Sequence, residues 1–329
     1  MNTMQLPKVF ITRKISTSAI EKLKAFADVE VWHDEQPPSH EILLDRFSHN
    51  QAVLTMLTDP IDADVINQID TNFKTISQMA VGTDNIDVLL ATQMGIPVGH
   101  TPDVLTEACA DFTWALLTAI SRRVPESVSE VQNGIWRPWG PDVLIGADLY
   151  GSTLGLIGMG RIGQAVARRA SGFNMNIFYY SKTRKIELEK ELNLTYVPLE
   201  TLLQKSDFVS VHVNLTNETH HFLNADKIKL MKPTSYLINI SRGKVIDSEA
   251  LTDALLTRQI AGAALDVFDP EPIPQNHPLL QCPNVIITPH IASASAPVRE
   301  KMAHMAVDNI IAAINNEHIP YCYNPSVYD

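Results

Sequence analysis

Short runs of hydrophobic residues alternate along the chain with segments in which hydrophobic positions recur at helical spacing. In the first hundred residues, runs rich in valine and isoleucine predict strands, and the periodic segments between them predict helices. The predicted strands are Lys8–Thr12, Val29–Trp32, Ala52–Met56, Thr75–Ala80 and Ile96–Val98, and the predicted helices are Ser18–Phe26, Glu41–Phe47, Ala63–Ile69 and Ile86–Met94. This alternation predicts a parallel sheet with helices on both faces.

A second alternating series begins after residue 150. Its predicted strands are Thr153–Ile157, Ile177–Tyr180, Phe208–Val213, Tyr236–Ile240, Ala263–Val267 and Val285–Thr288, with helices between them such as Ile162–Ala170 and Ser248–Leu256. Between the two series lie a long apolar helix from about Val104 to Ser121 and an irregular segment, Gly134–Tyr150. A last helix is predicted over Val298–Ile314. We therefore expect an α/β protein with two doubly wound parallel sheets.

Composition narrows the class of protein. The chain has 329 residues, of which 45% are hydrophobic and 19% charged, the balance of a folded soluble protein with room for two domains. A net charge of −11 disfavours nucleic acid and anionic membranes as partners, so an anionic substrate would need a local cationic site. We find no signal-peptide pattern in Met1–Lys14 and no apolar run of membrane length.

The cysteine pattern points to a reducing compartment. Cys109, Cys282 and Cys322 are far apart in the sequence, which indicates neither a metal-type pair nor a disulfide framework. We expect a cytoplasmic protein without a metal site.

One motif joins a predicted strand directly to a predicted helix. It contains Gly158, Gly160 and Gly163 in the pattern Gly-Met-Gly-Arg-Ile-Gly. In this setting, the first glycine permits a tight turn, the second lets the backbone approach a pyrophosphate, and the third lets helix and strand pack closely. The motif predicts a dinucleotide site; the alternative is a turn whose glycines serve packing alone.

The end of the next strand bears on cofactor choice. An NAD site usually places an acid there, about 20 residues after the glycines, to bind the ribose hydroxyls. Here the segment Tyr179–Lys185 contains Ser181, Lys182 and Arg184 but no acid. The first acidic residue after this strand is Glu187. A hydroxyl and several cations suit a 2′-phosphate, with Arg184 able to bind it through two hydrogen bonds. We predict a preference for NADP over NAD; the alternative is a solvated basic loop.

Three residues at successive strand ends have the chemistry of a hydride-transfer site. Arg242, Glu271 and His290 follow the predicted strands Tyr236–Ile240, Ala263–Val267 and Val285–Thr288. Reduction of a 2-oxoacid needs a cation for the carboxylate, a proton donor for the oxygen, and a carboxylate that keeps the donor charged. Taken singly, Arg242 also fits a surface ion pair and Glu271 a solvated turn. His290 also fits a helix cap or a core histidine.

The chain resembles the D-isomer-specific 2-hydroxyacid dehydrogenases, most closely the glyoxylate/hydroxypyruvate reductases and the related 2-ketogluconate reductases. The likeness covers almost the whole length, and the segments that carry it are Val81–Asp87, Gly158–Gly163, Asn239–Gly243, Asp266–Pro272 and Pro289–Ser293. It implies a Rossmann coenzyme domain, residues 102–291, inserted in a flavodoxin-like substrate domain, residues 1–101 and 292–329. It also implies a hinge whose closure excludes water from a cleft.

The resemblance also implies roles for individual residues. The implied cofactor-binding residues are Gly158, Gly160, Arg161, Ile162, Gly163, Ser181, Lys182, Arg184, Ile240 and Asp266. The implied substrate-binding residues are Leu57, Val81, Gly82, Arg242 and Trp139, the last reaching the site of the partner in a homodimer. His290 would be the acid/base, paired with Glu271. Asp266 has two alternative roles: it contacts the nicotinamide amide of the cofactor, or it holds Arg242.

The predicted function is reduction of glyoxylate or hydroxypyruvate with NADPH, with NADH as a possible substitute. Another specificity, such as that of a 2-ketogluconate reductase or a D-lactate dehydrogenase, remains the alternative within the same class. A different class also remains open, a dinucleotide-sensing binding protein similar to a transcriptional corepressor, because such a protein can keep all three strand-end residues.

Overall fold

The computed structural model describes residues 6–329, which divide into two compact units. The first unit comprises the chain up to Leu105 together with Ala294–Asp329, and the second comprises Thr106–Ser293. The predicted domain boundaries, after residues 101 and 291, lie a few residues before these two points. The assignment of substrate to the first unit and coenzyme to the second remains a prediction.

Helices and strands alternate through both units. The first unit contains β1 (Lys8–Ile11), α1 (Thr17–Lys24), β2 (Asp28–Val31), α2 (His40–His49), β3 (Ala52–Thr55), α3 (Ala63–Ile66), β4 (Thr75–Gln78), α4 (Val88–Gln93) and β5 (Val98–Gly99). The second contains α5 (Thr106–Ser121), α6 (Val124–Gln132), β6 (Thr153–Ile157), α7 (Arg161–Ala170), β7 (Asn176–Tyr180), α8 (Ile186–Leu192), β8 (Leu194–Tyr196), α9 (Leu199–Lys205), β9 (Phe208–Val211), α10 (Ala225–Ile228), β10 (Tyr236–Asn239), α11 (Ser248–Leu256), β11 (Gly262–Leu265) and β12 (Val285–Ile287). The chain then returns to the first unit in α12 (Ala296–Ile314).

The first unit is a parallel sheet between two helical layers. Its strand order is β2-β1-β3-β4-β5, the order of flavodoxin-like sheets. Side chains of β1 alternate between the faces: Val9 and Ile11 join the core beneath α1 and α12, whereas Phe10 joins the core beneath α2, α3 and α4. The predicted fold class is confirmed for this sheet.

The second unit contains a larger parallel sheet in the order β12-β11-β10-β9-β6-β7-β8. Strand order reverses between β6 and β9, which pair through residues such as Leu156 and Ser210. In open α/β sheets, ligands bind beside such a reversal, at the carboxyl ends of the strands. The Rossmann prediction is therefore confirmed, and the sheet locates the candidate site at the ends of β6, β7 and β9–β12.

Two elements were missed by the sequence reasoning. Helix α6 was overlooked although Val124, Val128 and Val131 recur at helical spacing, and the helix buries none of its residues. Strand β8 is a three-residue edge strand that buries only Leu194. The segment Gly134–Tyr150 has no helix or strand, as predicted. Among residues 6–329, no helix is long and apolar enough to cross a membrane.

Candidate active site

The glycine motif forms the turn between β6 and α7, and its three glycines differ in what they require. A side chain on Gly158, which has φ +99°, would lie 2.6 Å from the carbonyl oxygen of His212. One on Gly163 would lie 2.3 Å from the carbonyl oxygen of Gly158. At Gly160, φ is −77° and, in the described part of the chain, no atom lies within 4 Å of an added Cβ.

Packing therefore explains two glycines but not Gly160. The open space beside its Cα fits the close approach of a ligand to the backbone, the role of the second glycine in dinucleotide loops. Gly160 is also the N-cap of α7 and offers no side chain to the first amides of the helix. An uncapped helix N-terminus is a favourable place for a phosphate. These features fit a dinucleotide cofactor.

The glycine turn lies between two neighbouring strand ends. The N–H of Gly158 donates to the carbonyl of Tyr180 at 2.8 Å, and the N–H of His212 donates to the carbonyl of Ile157 at 2.7 Å. The turn is thus hydrogen-bonded to the end of β7 and adjoins the end of β9. These contacts place the basic loop after β7 directly beside the glycine turn.

The basic loop differs from the prediction in its ion pairs. Lys182 pairs with Glu218 at 3.1 Å, with both side chains mostly exposed. Arg184 pairs with Glu189, an acid that the sequence reasoning did not connect to this loop. Helix α8 begins at Ile186, so its first turn brings Glu189 back beside the loop. Ser181 is half-buried at the end of the strand.

The predicted pairing of His290 and Glu271 is present as a hydrogen bond. Nδ1 of His290 lies 2.8 Å from Oε2 of Glu271, and Oε1 of Glu271 accepts the N–H of Phe268 at 2.8 Å. The two side chains are 24% and 25% exposed, so both reach solvent while remaining largely covered. His290 has φ +54°, in the left-handed region that few residues other than glycine adopt.

Asp266 anchors the loop that carries His290. It is fully buried, and its Oδ1 accepts the hydroxyl of Thr288 at 2.6 Å and the N–H of Ile291 at 2.9 Å. Its Oδ2 accepts the N–H of Ala292 at 2.8 Å, and its carbonyl accepts the N–H of His290 at 2.9 Å. These bonds hold the backbone on both sides of the imidazole. The predicted contact of Asp266 with the cofactor remains a prediction.

Arg242 lies in a tight loop after β10. The Asn239 side chain closes this loop, because its amide nitrogen donates to the carbonyl of Arg242 at 2.9 Å and its oxygen accepts the N–H of Ser241 at 3.0 Å. A side chain on Gly243 would lie 1.9 Å from the carbonyl oxygen of Phe268. The Arg242 loop is therefore packed against the loop of Glu271, and the structure brings the loops of all three predicted catalytic residues together.

The other predicted site residues fall into two groups. In the second unit, Arg161 and Ile162 begin α7, and Ile240 is buried at the end of β10. Trp139, also in that unit, is 90% exposed on the irregular segment.

The second group belongs to the first unit. Leu57 follows β3, while Val81 and Gly82 follow β4, so these residues share the carboxyl edge of that sheet. The Gln78 side chain donates to the carbonyl of Gly82 at 2.7 Å.

One partly buried histidine, His212, was not singled out from the sequence. Nδ1 of His212 is buried and has no hydrogen-bond partner in the described part of the chain, while Nε2 lies 2.9 Å from the Ser210 hydroxyl. Burial lowers the pKa of His212 to about 3, which keeps the imidazole neutral. Among residues 6–329, no group of three or more His, Cys, Asp or Glu side chains is arranged to hold a metal ion.

Comparison with known proteins shows the same organisation. Residues 114–292 match the family model described as D-isomer specific 2-hydroxyacid dehydrogenase, NAD binding domain. A glyoxylate reductase from Korarchaeum cryptofilum is 49% identical over 98% of this chain and 97% of its own. A glyoxylate reductase from Pyrococcus horikoshii is also 49% identical, over 98% of this chain and 97% of its own.

Solved structures extend the likeness to three dimensions. The TT0316 protein from Thermus thermophilus has a TM-score of 0.90 and 42% identity, covering 96% of this chain and 99% of that one. An NADPH-dependent glyoxylate/hydroxypyruvate reductase from Sinorhizobium meliloti, in complex with NADP and malonate, has a TM-score of 0.82 and 31% identity, covering 97% of each chain. With its Rossmann sheet, its glycine turn and its paired His290 and Glu271, this chain belongs to the D-isomer-specific 2-hydroxyacid dehydrogenase family, whose members bind a nicotinamide dinucleotide.

Proposed function

We propose that this protein reduces small 2-oxoacids, glyoxylate and hydroxypyruvate in particular, to D-2-hydroxy acids. The observation that carries the proposal is the 2.8 Å contact between Nδ1 of His290 and Oε2 of Glu271, in a cluster of loops that includes Arg242. The relatives named glyoxylate reductase support the substrate class. A reduced nicotinamide ring supplies hydride to the carbonyl carbon when bound.

His290 is the proposed proton donor. Its Nδ1 faces Glu271, so Nε2 is the nitrogen left for the substrate oxygen. In the imidazolium form the ring keeps one N–H on the carboxylate and delivers the proton from Nε2 as the oxygen gains negative charge. Glu271 orients the ring through this hydrogen bond.

Arg242 is the proposed anchor for the substrate. Its guanidinium can hold a carboxylate with two parallel hydrogen bonds and polarise the neighbouring carbonyl. Family membership also supports Leu57, Val81 and Gly82 as substrate contacts on the first unit, and Trp139 as a contact to the second copy in a homodimer. The first unit is then the substrate domain and the second the coenzyme domain.

The proposed cofactor preference is for NADPH. The strand end after β7 has Ser181, Lys182 and Arg184 where an NAD site usually has an acid on the ribose. The structural relative from Sinorhizobium meliloti, described as NADPH-dependent, supports the same preference. NADH is expected to serve as a weaker substitute.

A substrate panel tests the proposal. The full-length protein is assayed with glyoxylate, hydroxypyruvate, 2-ketogluconate and pyruvate, each with NADPH and NADH. We expect the highest kcat/KM for glyoxylate or hydroxypyruvate with NADPH. A clear preference for 2-ketogluconate or pyruvate would favour the alternative specificity. Tight dinucleotide binding with no oxoacid consumed would reject the enzyme and favour a dinucleotide-sensing protein.

A further inference from the structure

A closed hydrogen-bond network ties the basic loop to the strand before it and the helix after it. The Tyr179 hydroxyl donates to Oε1 of Glu189 at 2.7 Å and accepts the N–H of Lys185 at 2.7 Å. Arg184 donates from Nε to Oε1 and from Nη2 to Oε2 of Glu189, at 2.8 Å each. Strand, loop and helix therefore meet at one carboxylate.

The burial of these groups is unequal. Tyr179 is fully buried and the Glu189 side chain is 14% exposed, whereas the Arg184 side chain is 58% exposed. Within the described residues, Nη1 of Arg184 has no hydrogen-bond partner. One edge of the guanidinium is thus fixed by Glu189, and the other is open to solvent.

Glu189 and Arg184 are both charged at neutral pH. The hydrogen bonds from Arg184 and Tyr179 lower the pKa of Glu189 to about 2, so the carboxylate remains ionised throughout the physiological range. The hydrogen bond to Glu189 raises the pKa of Arg184. The pair is charged whenever a cofactor could bind.

The position of the network links it to the dinucleotide site. The loop follows Tyr180, the last residue of β7, whose carbonyl accepts the N–H of Gly158 at 2.8 Å, so the loop begins directly beside the glycine turn. The adenosine ribose of a bound dinucleotide lies at this strand end in folds of this kind. A 2′-phosphate is the only chemical difference between NADP and NAD there.

We propose that Glu189 is a specificity-determining positioning residue, which holds Arg184 and the Ser181–Lys185 loop in the conformation that receives the 2′-phosphate of the cofactor. The proposal rests on the NADPH preference of the proposed function. Glu189 itself does not touch the phosphate; it removes the freedom of the arginine in advance, so that less conformational entropy is lost on binding.

The opposite effect is physically possible and makes the proposal testable. A carboxylate beside Arg184 also reduces the positive potential that attracts a phosphate. If this repulsion outweighed the positioning, removal of the Glu189 charge would tighten binding of 2′-phosphates. The sign of the change therefore decides between the two roles.

The test measures binding by calorimetry with the full-length protein. The probes are NADP⁺ against NAD⁺, and adenosine 2′,5′-bisphosphate against AMP, because each pair differs only in the 2′-phosphate. For Glu189→Gln we expect about a 10-fold weaker Kd for the two 2′-phosphates and less than about a 2-fold change for NAD⁺ and AMP, the size of one lost charge-assisted hydrogen-bond pair. Tyr179→Phe removes the hydroxyl that bridges Glu189 and Lys185. It should also weaken the binding of NADP⁺ relative to NAD⁺.

The matched control is Glu187→Gln, which removes the same charge from an exposed position on the same helix. It should leave all four dissociation constants unchanged within about 2-fold. Unchanged or tighter binding of NADP⁺ by Glu189→Gln, with the wild type preferring NADP⁺, overturns the positioning role alone. A wild type that binds NAD⁺ as well as NADP⁺ overturns the cofactor preference first, and the inference with it. If Glu189→Gln does not fold, Tyr179→Phe decides by the same criteria.

Discussion

His290 and Glu271 meet at 2.8 Å although they follow different strands, His290 after β12 and Glu271 after β11. The second oxygen of Glu271 is occupied by the main-chain N–H of Phe268. Backbone thus fixes the carboxylate on one side, and the carboxylate fixes the imidazole on the other. The pair is positioned by the protein before any substrate arrives.

Replacement of Glu271 by Gln keeps the size of the side chain but removes its charge, and it should lower the rate of reduction. Because the amide carries no charge, the imidazolium loses its stabilising partner, and kcat/KM for glyoxylate at pH 7 should fall by about 10- to 100-fold. Steady-state assays at pH 7 check this fall, with Glu249→Gln on the exposed side of α11 as the control. An unchanged kcat/KM in Glu271→Gln would show that the carboxylate does not serve the reaction.

Arg242→Lys should lose most of the binding of the substrate carboxylate. Lysine retains the charge but offers a point cation instead of a planar fork. We expect kcat/KM for the oxoacid to fall by about 100-fold, or about 2.7 kcal/mol, with little change in the Kd for the cofactor. Arg258→Lys, at an exposed position, is the control. A variant at Arg242 with ordinary kcat/KM removes this residue from the site.

Asp266→Asn should destabilise the fold. The buried carboxylate accepts the N–H groups of Ile291 and Ala292 and the hydroxyl of Thr288, and an amide can satisfy only part of this set. Unfolding in urea should show a loss of about 2 kcal/mol or more. Asp253→Asn, on the exposed side of α11, should stay within about 0.5 kcal/mol of the wild type. Equal stability of both variants contradicts the anchoring role.

Gly160→Ala separates ligand binding from packing. The added methyl group meets no atom in the described part of the chain, so the cost in stability should be limited to that of alanine at the N-cap of α7, about 1 kcal/mol. The methyl group would, however, occupy the space in which the pyrophosphate approaches the backbone, and we expect the Kd for NADP⁺ to rise at least about 10-fold.

Variants at two other glycines are the controls for Gly160→Ala. Gly172→Ala also enters open space, just past the opposite end of α7 from the glycine turn, and should leave cofactor binding unchanged. Gly158→Ala should destabilise the fold, since φ is +99° and the carbonyl of His212 is in the way. Normal cofactor binding by Gly160→Ala would mean that this glycine does not face the pyrophosphate.

His212 predicts a specific acid sensitivity. Its pKa is lowered to about 3 in the folded protein from the ordinary 6.5, so the unfolded chain takes up a proton first as pH falls. The stability that the neutral imidazole contributes is complete above pH 6.5 and is lost between 6.5 and 3. At pH 5.5 the loss should be on the order of 1 kcal/mol.

Urea unfolding at pH 7.5 and 5.5 measures this loss. In His212→Asn the fall in unfolding free energy between the two pH values should be smaller than in the wild type by that amount. The same variant comparison cancels the contributions of all other titrating groups. Identical falls in both proteins would mean that His212 is not the group responsible.

The sequence alone determined the architecture. Alternating strands and helices are encoded locally, in the period of apolar residues, and this pattern predicted two parallel sheets with their strands nearly at the observed positions. The glycine motif and the residues after β10, β11 and β12 were equally visible, because parallel strands bring their carboxyl ends to one edge. The strand β8 was not, because three residues are too few to show a period, and the valine period of the exposed helix α6 was overlooked.

Only the tertiary structure decided which side chains meet. Glu189 holds Arg184, Asp266 holds the loop of His290, and Gly160 alone of the three motif glycines opens onto free space. These relationships depend on the course of loops that pack against one another from distant parts of the chain. A local pattern records burial and backbone hydrogen bonding, but the direction in which a charged side chain points is set by the neighbours that the fold brings to it.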